Sequence, residues 1–135
     1  MHTLSAMFGI AALASLPCDP SNAGPRELVA EYETAARLSV PGMGFSAARG
    51  AMFFKDTHGG EWTCSTCHTA VPTAVGRHAR TGKSIAPLAP VRNPDRFTDA
   101  ARTEKWFRRN CNDVIGRECT PQEKGDVLTW LLSLQ

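Results

Sequence analysis

The sequence predicts an all-α fold of about four to five helices, and three observations support that prediction. Apolar side chains recur at helical spacing near both ends of the chain. Between them, residues 71–94 contain four prolines and two glycines, which favour ordered loop over regular structure. The 135 residues are enough for one small domain.

The first 23 residues differ from the rest and are interpreted as a secretory signal peptide. Residues 4–16 form a short apolar run, and Ser21-Asn22-Ala23 ends in a small residue that suits cleavage. The apolar run is too short to span a bilayer. Residues 24–135 are therefore expected to form the mature domain, located in the periplasm without a membrane span. A lipid anchor at Cys18 is the alternative interpretation.

Two helices are predicted before residue 60. The first extends from Pro25 to Leu38, before Pro41-Gly42 breaks the pattern. The second spans about Ser46 to Lys55, where Gly50 permits close approach of another helix because it has no side chain. Apolar positions of the first helix are Leu28, Tyr32, Ala35 and Ala36, and those expected on one side of the second are Phe45, Ala48, Met52 and Phe53.

Two stronger helical patterns lie near the C-terminus. Thr98 is predicted to cap the first of them, with Asp99 in its first turn, and this helix is expected to end at about Asn110. The last helix begins with Thr120-Pro121-Gln122-Glu123, a capping box with proline at the first helical position. Its apolar stripe comprises Val127, Leu128, Leu131 and Leu132, with Trp130 beside it.

The segment Cys64-Ser65-Thr66-Cys67-His68 is a C-x-x-C-H motif, the arrangement by which a polypeptide attaches haem c. Two thiols add to the haem vinyl groups, and the adjacent histidine binds the iron. We therefore predict one covalent haem c, held by Cys64 and Cys67, with His68 as the proximal iron ligand. The competing interpretations are a thioredoxin-like redox pair, which would need a βαβ pattern nearby, and a zinc site, which would need more Cys or His at matched spacing.

The motif makes the prediction of the fold more specific. A glycine- and aromatic-bearing helix before the motif and an amphipathic helix at the C-terminus form the frame of a class I cytochrome c. The last helix is expected to cross the second near Gly50. In the intervening loop, the apolar residues 85–90 are expected to cover the porphyrin, or alternatively to form an ordinary surface loop.

The charge of the chain does not indicate a nucleic-acid partner. The formal net charge is +2, and no block of basic residues stands out. Arg77, Arg80 and Lys83 form a small cluster that is expected to meet haem propionates or solvent.

The number of cysteines predicts one disulfide. Of the five, Cys18 would leave with the signal peptide, and two are taken by the haem motif. Cys111 and Cys119 remain, an even pair in an oxidising compartment, where a disulfide is expected. The alternative is a pair of buried free thiols.

The spacing of residues leaves the second axial ligand of the iron open. All four methionines precede the motif, and Met52 is expected to be used for packing in its helix. His58 and His78 stand at equal distances on either side of His68, and either would give a bis-histidine site. An unligated position is a further alternative.

The penultimate helix offers Asn110 as another candidate. Asn110 shares a helix face with Thr103, Trp106 and Phe107. A carboxamide buried on such a face needs a partner, since an unsatisfied polar group costs about 1–3 kcal/mol, and ferric iron would be one. The alternative is that Asn110 caps the C-terminus of the helix, and spacing alone does not separate the two.

Several blocks of the sequence resemble the SHP family of monohaem cytochromes c. The similarity extends over about residues 28–134, and this chain departs from the family pattern around residues 71–78. Cytochrome c″ resembles the chain in the same blocks but has histidine in place of Asn110. The blocks are Arg80-Thr81-Gly82-Lys83 with Ile85–Pro90, Arg96-Phe97-Thr98-Asp99, Glu104-Lys105-Trp106, Arg109-Asn110-Cys111-Asn112 with Val114–Arg117, and Cys119-Thr120-Pro121 with Glu123-Lys124.

The resemblance implies a role for each matching residue. Cys64 and Cys67 would hold the haem, and His68 would be the permanent ligand. Asn110 would bind ferric iron and let go on reduction, which would leave ferrous iron free to bind oxygen, nitric oxide or carbon monoxide. The two C-terminal cysteines would form the family's disulfide. The redox partners would be a dihaem cytochrome c and a membrane cytochrome b.

Three functions compete at this point. The first is an exported haem c protein that accepts electrons and binds a diatomic ligand once reduced. The second is an ordinary electron-transfer cytochrome c whose sixth position stays occupied. The third is an enzyme that acts on oxygen, nitric oxide or a peroxide. Such an enzyme would need an acid or base on the distal side of the haem, and His78 is the only loose candidate for that role. The first is favoured, and whether the protein has enzymatic turnover stays open.

Overall fold

The computed structural model describes residues 24–135, so the predicted signal peptide lies outside the described residues. The described chain forms five helices and one two-stranded antiparallel hairpin, in which Gly76 pairs with Ile85 and Arg77 with Ser84. Within this part of the chain, no helix combines the length and the apolar character needed to cross a membrane. The elements are α1 (Pro25–Ser39), α2 (Ala47–Lys55), α3 (Cys64–His68), β1 (Gly76–Arg77), β2 (Ser84–Ile85), α4 (Ala100–Ile115) and α5 (Pro121–Ser133).

Helix α1 forms as the sequence predicts and packs against α5. Pro25 occupies the start of the helix, where its missing N–H removes no helical hydrogen bond. Leu28 and Tyr32 are buried one turn apart and form a core cluster with Leu128 of α5. The amphipathic pattern of α1 thus positions the first helix on the C-terminal one.

Helices α2 and α5 cross at Gly50, as predicted. A Cβ atom at Gly50 would lie 2.0 Å from the carbonyl oxygen of Asp126, so only glycine allows this approach. The carboxylate of Asp126 accepts hydrogen bonds from Ser46 N at 2.6 Å and from Arg49 Nε at 2.8 Å. The crossing is therefore fixed by both a close backbone contact and a buried carboxylate.

The apolar side predicted for α2 is only partly right, because Phe45 and Phe53 pack against the core but Ala48 and Met52 do not. Met52 is 64% exposed, and Ala48 is exposed as well. The buried positions are Gly50 and Phe54, one turn apart, and Phe54 forms the second core cluster with Val127, Trp130 and Leu131 of α5. Because the close approach at Gly50 selects the face that meets α5, Met52 lies on the far side of the helix.

Helix α4 begins and ends later than predicted. Its N-cap is Asp99, whose carboxylate accepts a hydrogen bond from Arg102 N at 2.8 Å, whereas the Thr98 hydroxyl donates to the carbonyl of Asp95. The helix continues to Ile115 and ends at Gly116, which has a left-handed φ of 70°. Asn110 is consequently inside the helix, and the interpretation of Asn110 as its C-terminal cap is wrong.

The capping box predicted at the start of α5 is confirmed. The Thr120 hydroxyl accepts from Glu123 N at 3.2 Å, and the Glu123 carboxylate accepts from Thr120 N at 2.8 Å. The buried stripe supplies both core clusters, so α5 is the central element of the described fold.

Candidate functional site

A single helical turn, α3, carries the cysteines and histidine of the motif. The Thr63 hydroxyl accepts a hydrogen bond from Thr66 N, and the Thr66 hydroxyl accepts from Thr63 N, each at 3.0 Å. This reciprocal cap starts the turn at Cys64. Positions i, i+3 and i+4 of a helix share a face, so Cys64, Cys67 and His68 are presented together.

Neither cysteine of the motif forms a disulfide with another residue of the described range 24–135. Cys64 packs against the core cluster around Phe54, and burial raises the pKa of its thiol to about 11. The Sγ atom of Cys67 instead accepts a hydrogen bond from Ala79 N at 3.4 Å. The two sulfurs therefore differ in environment, one facing the core and one facing the hairpin loop.

His68 is half-buried, and its imidazole is neutral. Burial, with a smaller contribution from the positive charge of Arg96, lowers its pKa to about 4. Its ring centre lies 6.3 Å from that of Phe54. The Nδ1 atom is buried without a hydrogen-bond partner among the described residues. Neutral imidazole is the form that binds metals, and two free thiols beside it fit covalent attachment of haem c.

The hairpin holds the motif from one side. A Cβ atom at Gly76 would lie 2.2 Å from the carbonyl oxygen of Cys67 and 3.2 Å from Cα of His68. The close packing of β1 on the backbone of α3 therefore requires glycine at position 76. Sequence reasoning did not single out this glycine, because the contact spans the loop between the two elements.

The loop 85–97 is ordered by side chains that sequence reasoning did not assign to the site. Arg96 donates to the carbonyls of Pro87 at 3.1 Å and Ala86 at 2.9 Å. The carbonyl of Pro72 accepts from Leu88 N at 2.9 Å, and Leu88 packs on the Phe54 cluster that Cys64 also contacts. These contacts bring the apolar stretch 85–90 to the core beside the motif. Its predicted role as a cover for porphyrin stays a prediction.

Helix α4 directs its inner face to the same core. Thr103 is buried, and Phe107 packs against both core clusters. Asn110, one turn beyond Phe107, is half-buried, and its carboxamide makes no hydrogen bond with any described residue. By contrast, Asn112 is exposed and donates to the carbonyl of Arg108 at 2.8 Å. Trp106, which was expected to share the inner face, is 47% exposed.

The other candidates for the second iron ligand have local partners or are exposed. His58 donates from Nε2 to the carbonyl of Phe53 at 2.9 Å, and the Nδ1 atom of His78 accepts from the backbone N–H groups of Arg80 and Thr81 at 3.3 Å. Met52 is 64% exposed. In the described residues, no three His, Cys, Asp or Glu side chains form a group suited to hold a metal ion.

The predicted disulfide between Cys111 and Cys119 is present. Its Cα atoms lie 5.7 Å apart, and it links the residue after Asn110 to the residue before the cap of α5. The C-terminal part of α4 is thereby attached covalently to the start of α5.

A second connection joins α4 to two other helices. The Tyr32 hydroxyl of α1 donates to Glu104 Oε1 at 2.5 Å, and Lys124 of α5 donates to Glu104 Oε2 at 2.7 Å. Burial alone would raise the pKa of Glu104, but hydrogen bonds from Lys124 and Tyr32 outweigh it and hold the pKa below its ordinary value. Sequence spacing gave no signal for this cluster, since its members come from three helices.

Comparison with known families and proteins places the chain among similar sequences. Residues 41–131 match the family described as "Domain of unknown function (DUF1924)". The chain is 49% identical over 126 residues to the cytochrome c-type protein SHP of Cereibacter sphaeroides, covering 90% of this chain and 93% of that protein. It is 38% identical over 138 residues to cytochrome c″ of Methylophilus methylotrophus, covering 98% and 94%.

Solved structures agree with these sequence relationships. Oxidised SHP, described as an oxygen-binding cytochrome c, superimposes with a TM-score of 0.73 at 52% identity, covering 82% of this chain and 96% of that one. The crystal structure of oxidised cytochrome c″ from Methylophilus methylotrophus gives a TM-score of 0.74 at 38% identity, covering 82% and 94%. A solution structure of cytochrome c″, described as giving insight into haem-ligand detachment, gives a TM-score of 0.70 at 38% identity, covering 81% and 92%.

Proposed function

Because this chain belongs to the family of cytochromes c that includes SHP and cytochrome c″, we propose that it is a periplasmic monohaem protein that accepts one electron, releases Asn110 from iron on reduction and then binds a diatomic ligand. The predicted family, the all-α cytochrome c-like fold and the single covalent haem c are confirmed by the relatives. The signal peptide, the periplasmic location and the ligand release are parts of the proposal.

The residues of α3 would attach and orient the cofactor. Cys64 and Cys67 would form the two thioether links, and His68, kept neutral by burial, would be the permanent iron ligand. When bound, the haem supplies a one-electron redox couple and an iron position for a ligand. The chain's own contribution is to fix the motif: Phe54 lies beside the imidazole, and Gly76 of β1 packs on the backbone of Cys67 and His68.

The observation that carries the proposal is the placement of Asn110. Asn110 belongs to α4, one turn beyond the core residue Phe107, and its half-buried carboxamide has no hydrogen-bond partner among the described residues. An amide oxygen is a hard, neutral donor, which suits Fe(III) better than the softer Fe(II). Reduction would therefore weaken this bond. The descriptions of SHP as oxygen-binding and of cytochrome c″ in terms of haem-ligand detachment support the same behaviour.

The partners are proposed from the same family. The electron donor would be a dihaem cytochrome c, with a membrane cytochrome b as a further redox partner. The diatomic ligand would be oxygen, nitric oxide or carbon monoxide, all of which bind ferrous haem. Enzymatic turnover is not part of the proposal.

Carbon monoxide provides the decisive test. The absorption spectrum of the dithionite-reduced protein is recorded before and after addition of the gas. We expect a high-spin ferrous spectrum that converts to a low-spin carbonyl spectrum. A low-spin ferrous spectrum that the gas leaves unchanged would refute the proposal in favour of an ordinary electron carrier with an occupied sixth position.

A further inference from the structure

The hairpin that holds the motif also carries an exposed group of cations. Arg77, Arg80 and Lys83 are all exposed, and none forms an ion pair with an acidic residue of the described chain. By contrast, two less exposed cations are paired: Arg49 with Asp126 at 2.8 Å, and Lys124 with Glu104 at 2.7 Å. We call residues 76–85 the basic hairpin. Its positive charge is left uncompensated by the described part of the protein.

The basic hairpin is held in one conformation by its own hydrogen bonds. His78 N donates to the carbonyl of Lys83, and Gly82 N donates to that of His78, each at 2.8 Å. Arg77 donates from its guanidinium to the carbonyl of Gly82, also at 2.8 Å. The guanidinium of Arg80 lies 4.6 Å from the ring centre of Trp62. The guanidinium groups of Arg77 and Arg80 are therefore ordered before any partner arrives, which reduces the entropic cost of binding.

The basic hairpin also contacts the haem-attachment motif directly. Ala79 N, in its loop, donates to the Sγ atom of Cys67 at 3.4 Å. Gly76, at its base, packs on the carbonyl of the same cysteine. Cys67 would carry one of the two haem thioether links, so the cations of this hairpin would lie close to the point where the cofactor is attached.

We propose that the basic hairpin is the docking surface for an acidic redox protein that reduces this cytochrome. The inference rests on the proposed function, since it names the entry point for its electron. One electron leaves the reduced donor, which is oxidised by one electron, and converts ferric to ferrous iron without any bond to the donor. Acidic groups on the donor would be attracted to the ordered cations, which raises the rate of encounter and fixes the orientation.

Charge-reversal variants of the holoprotein test the inference. Lys83→Glu leaves the Arg80–Trp62 contact in place, and Arg80→Glu removes it. Arg26→Glu is the matched control, because Arg26 is exposed on α1, forms no ion pair with a described residue and undergoes the same change in charge. Rates of reduction are measured with anionic Fe(EDTA)²⁻ and cationic hexaammineruthenium(II), at ionic strengths of about 10 mM and about 200 mM.

We expect the anionic reagent to reduce both hairpin variants more slowly than the parent protein, by about tenfold at low ionic strength. We expect the cationic reagent to reduce them faster. Both differences should shrink at high ionic strength, and Arg26→Glu should have a much smaller effect. Equal losses with both reagents would overturn the inference, because they would indicate a disturbed haem environment instead. Equal effects of the control and the hairpin variants would overturn it as well, because only the overall charge would matter.

Binding to a protein probe gives a readout independent of electron transfer. Flavodoxin, an acidic one-electron donor, is titrated into the oxidised ¹⁵N-labelled holoprotein at low salt. We expect the largest changes in NMR chemical shift in residues 76–85, and weaker binding of flavodoxin to the Lys83→Glu variant. Shift changes confined to another surface would contradict the docking site. Neither measurement depends on gas binding, so a negative carbon monoxide experiment would remove the proposed ligand binding and leave the docking site to be judged separately.

Discussion

At the scale of single residues, Asn110 and Asn112 make an informative pair. Both are on α4, yet Asn112 is exposed and donates to Arg108 O, whereas Asn110 is half-buried and has no described partner. Two asparagines of identical chemistry thus differ only in direction. That difference is why Asn110 is the proposed ligand and Asn112 is a suitable control.

Replacing Asn110 by histidine tests its role. Imidazole binds both oxidation states of haem iron more strongly than an amide oxygen does. We expect Asn110→His to convert the ferric protein to a low-spin bis-histidine spectrum and to slow the binding of carbon monoxide after reduction. Absorption and electron paramagnetic resonance spectra measure the change. Asn112→His should keep the parent spectrum, and a parent-like spectrum for Asn110→His would exclude Asn110 as the ligand.

Residue-level predictions succeed where neighbouring positions decide the outcome. The capping box of Thr120 and Glu123 forms as predicted, because both partners lie within one turn. At the start of α4, two good caps stand side by side, and sequence preference cannot choose between Thr98 and Asp99. The backbone conformation decides between them. Phe97 has a left-handed φ of 63°, and the Thr98 hydroxyl donates to the carbonyl of Asp95, so the Asp99 carboxylate accepts the hydrogen bond from Arg102 N.

At the scale of elements, α4 differs from the other long helices. Helix α5 packs closely on α2 and α1, whereas α4 has no comparably close backbone packing with another described helix. It is held instead by Phe107, by the disulfide at Cys111 and by the pairing of Glu104 with Tyr32 and Lys124. A helix attached at a few points can shift with little loss of core contact, which is what the proposed release of Asn110 would require.

Glu104 is expected to stabilise the attachment of α4. Glu104→Gln removes the charge that Lys124 pairs with, and the side chain of Lys124 is only 12% exposed. We expect a loss of about 1–3 kcal/mol in the free energy of unfolding, measured by chemical denaturation. Glu33→Gln is the control, because its pair with Arg37 is exposed and contributes about 0.5 kcal/mol or less. Equal losses in the two variants would contradict the special role of Glu104.

The same pair predicts a pH dependence. The pKa of Glu104 is lower in the folded protein than its ordinary value, so its contribution to stability is present above that ordinary value and is lost as pH falls through the folded pKa. The difference in stability between parent and Glu104→Gln should therefore be constant near neutral pH and shrink below about pH 4. A difference that grows with acidification would contradict the assignment.

The buried face of a helix was predictable only where the helix packs through its apolar stripe. For α1 and α5, the apolar stripes of the sequence became the buried stripes. For α2, the pattern placed Met52 inside, but the close backbone contact of Gly50 with Asp126 rotated the helix and left Met52 exposed. A glycine contact carries no apolar signal, so periodicity alone could not show which face would be buried.

At the scale of the whole molecule, the disulfide limits how far α4 can move away from α5. The double variant Cys111→Ser/Cys119→Ser removes this limit. We expect the rate of carbon monoxide binding to the ferrous protein to rise, because Asn110 could retreat farther and compete less. Loss of the cross-link should also lower stability by roughly 2–3 kcal/mol. Stopped-flow mixing measures the rate, and equal rates with and without the disulfide would contradict the tether.

The candidate site was predictable to different degrees in its two halves. Cys64, Cys67 and His68 lie within five consecutive residues, so their local spacing is enough to predict attachment of haem. The proposal of Asn110 rests on the helical period and a family resemblance, because the sequence of one chain does not show which helix would face the motif. The supporting contacts of Gly76 and Arg96 were not predicted, since they join segments that only the folded chain brings together.

The crossing of α2 and α5 has a consequence for the order in which the molecule is made. Arg49 and Asp126, which meet there, are 77 positions apart in the chain. Three of the four buried residues in the cluster around Phe54 belong to α5. During synthesis at about 5–20 residues per second, the motif precedes α5 by roughly 3–10 s. Throughout that interval the core beside Cys64 lacks the three α5 residues that complete it, so this core closes only when α5 is available.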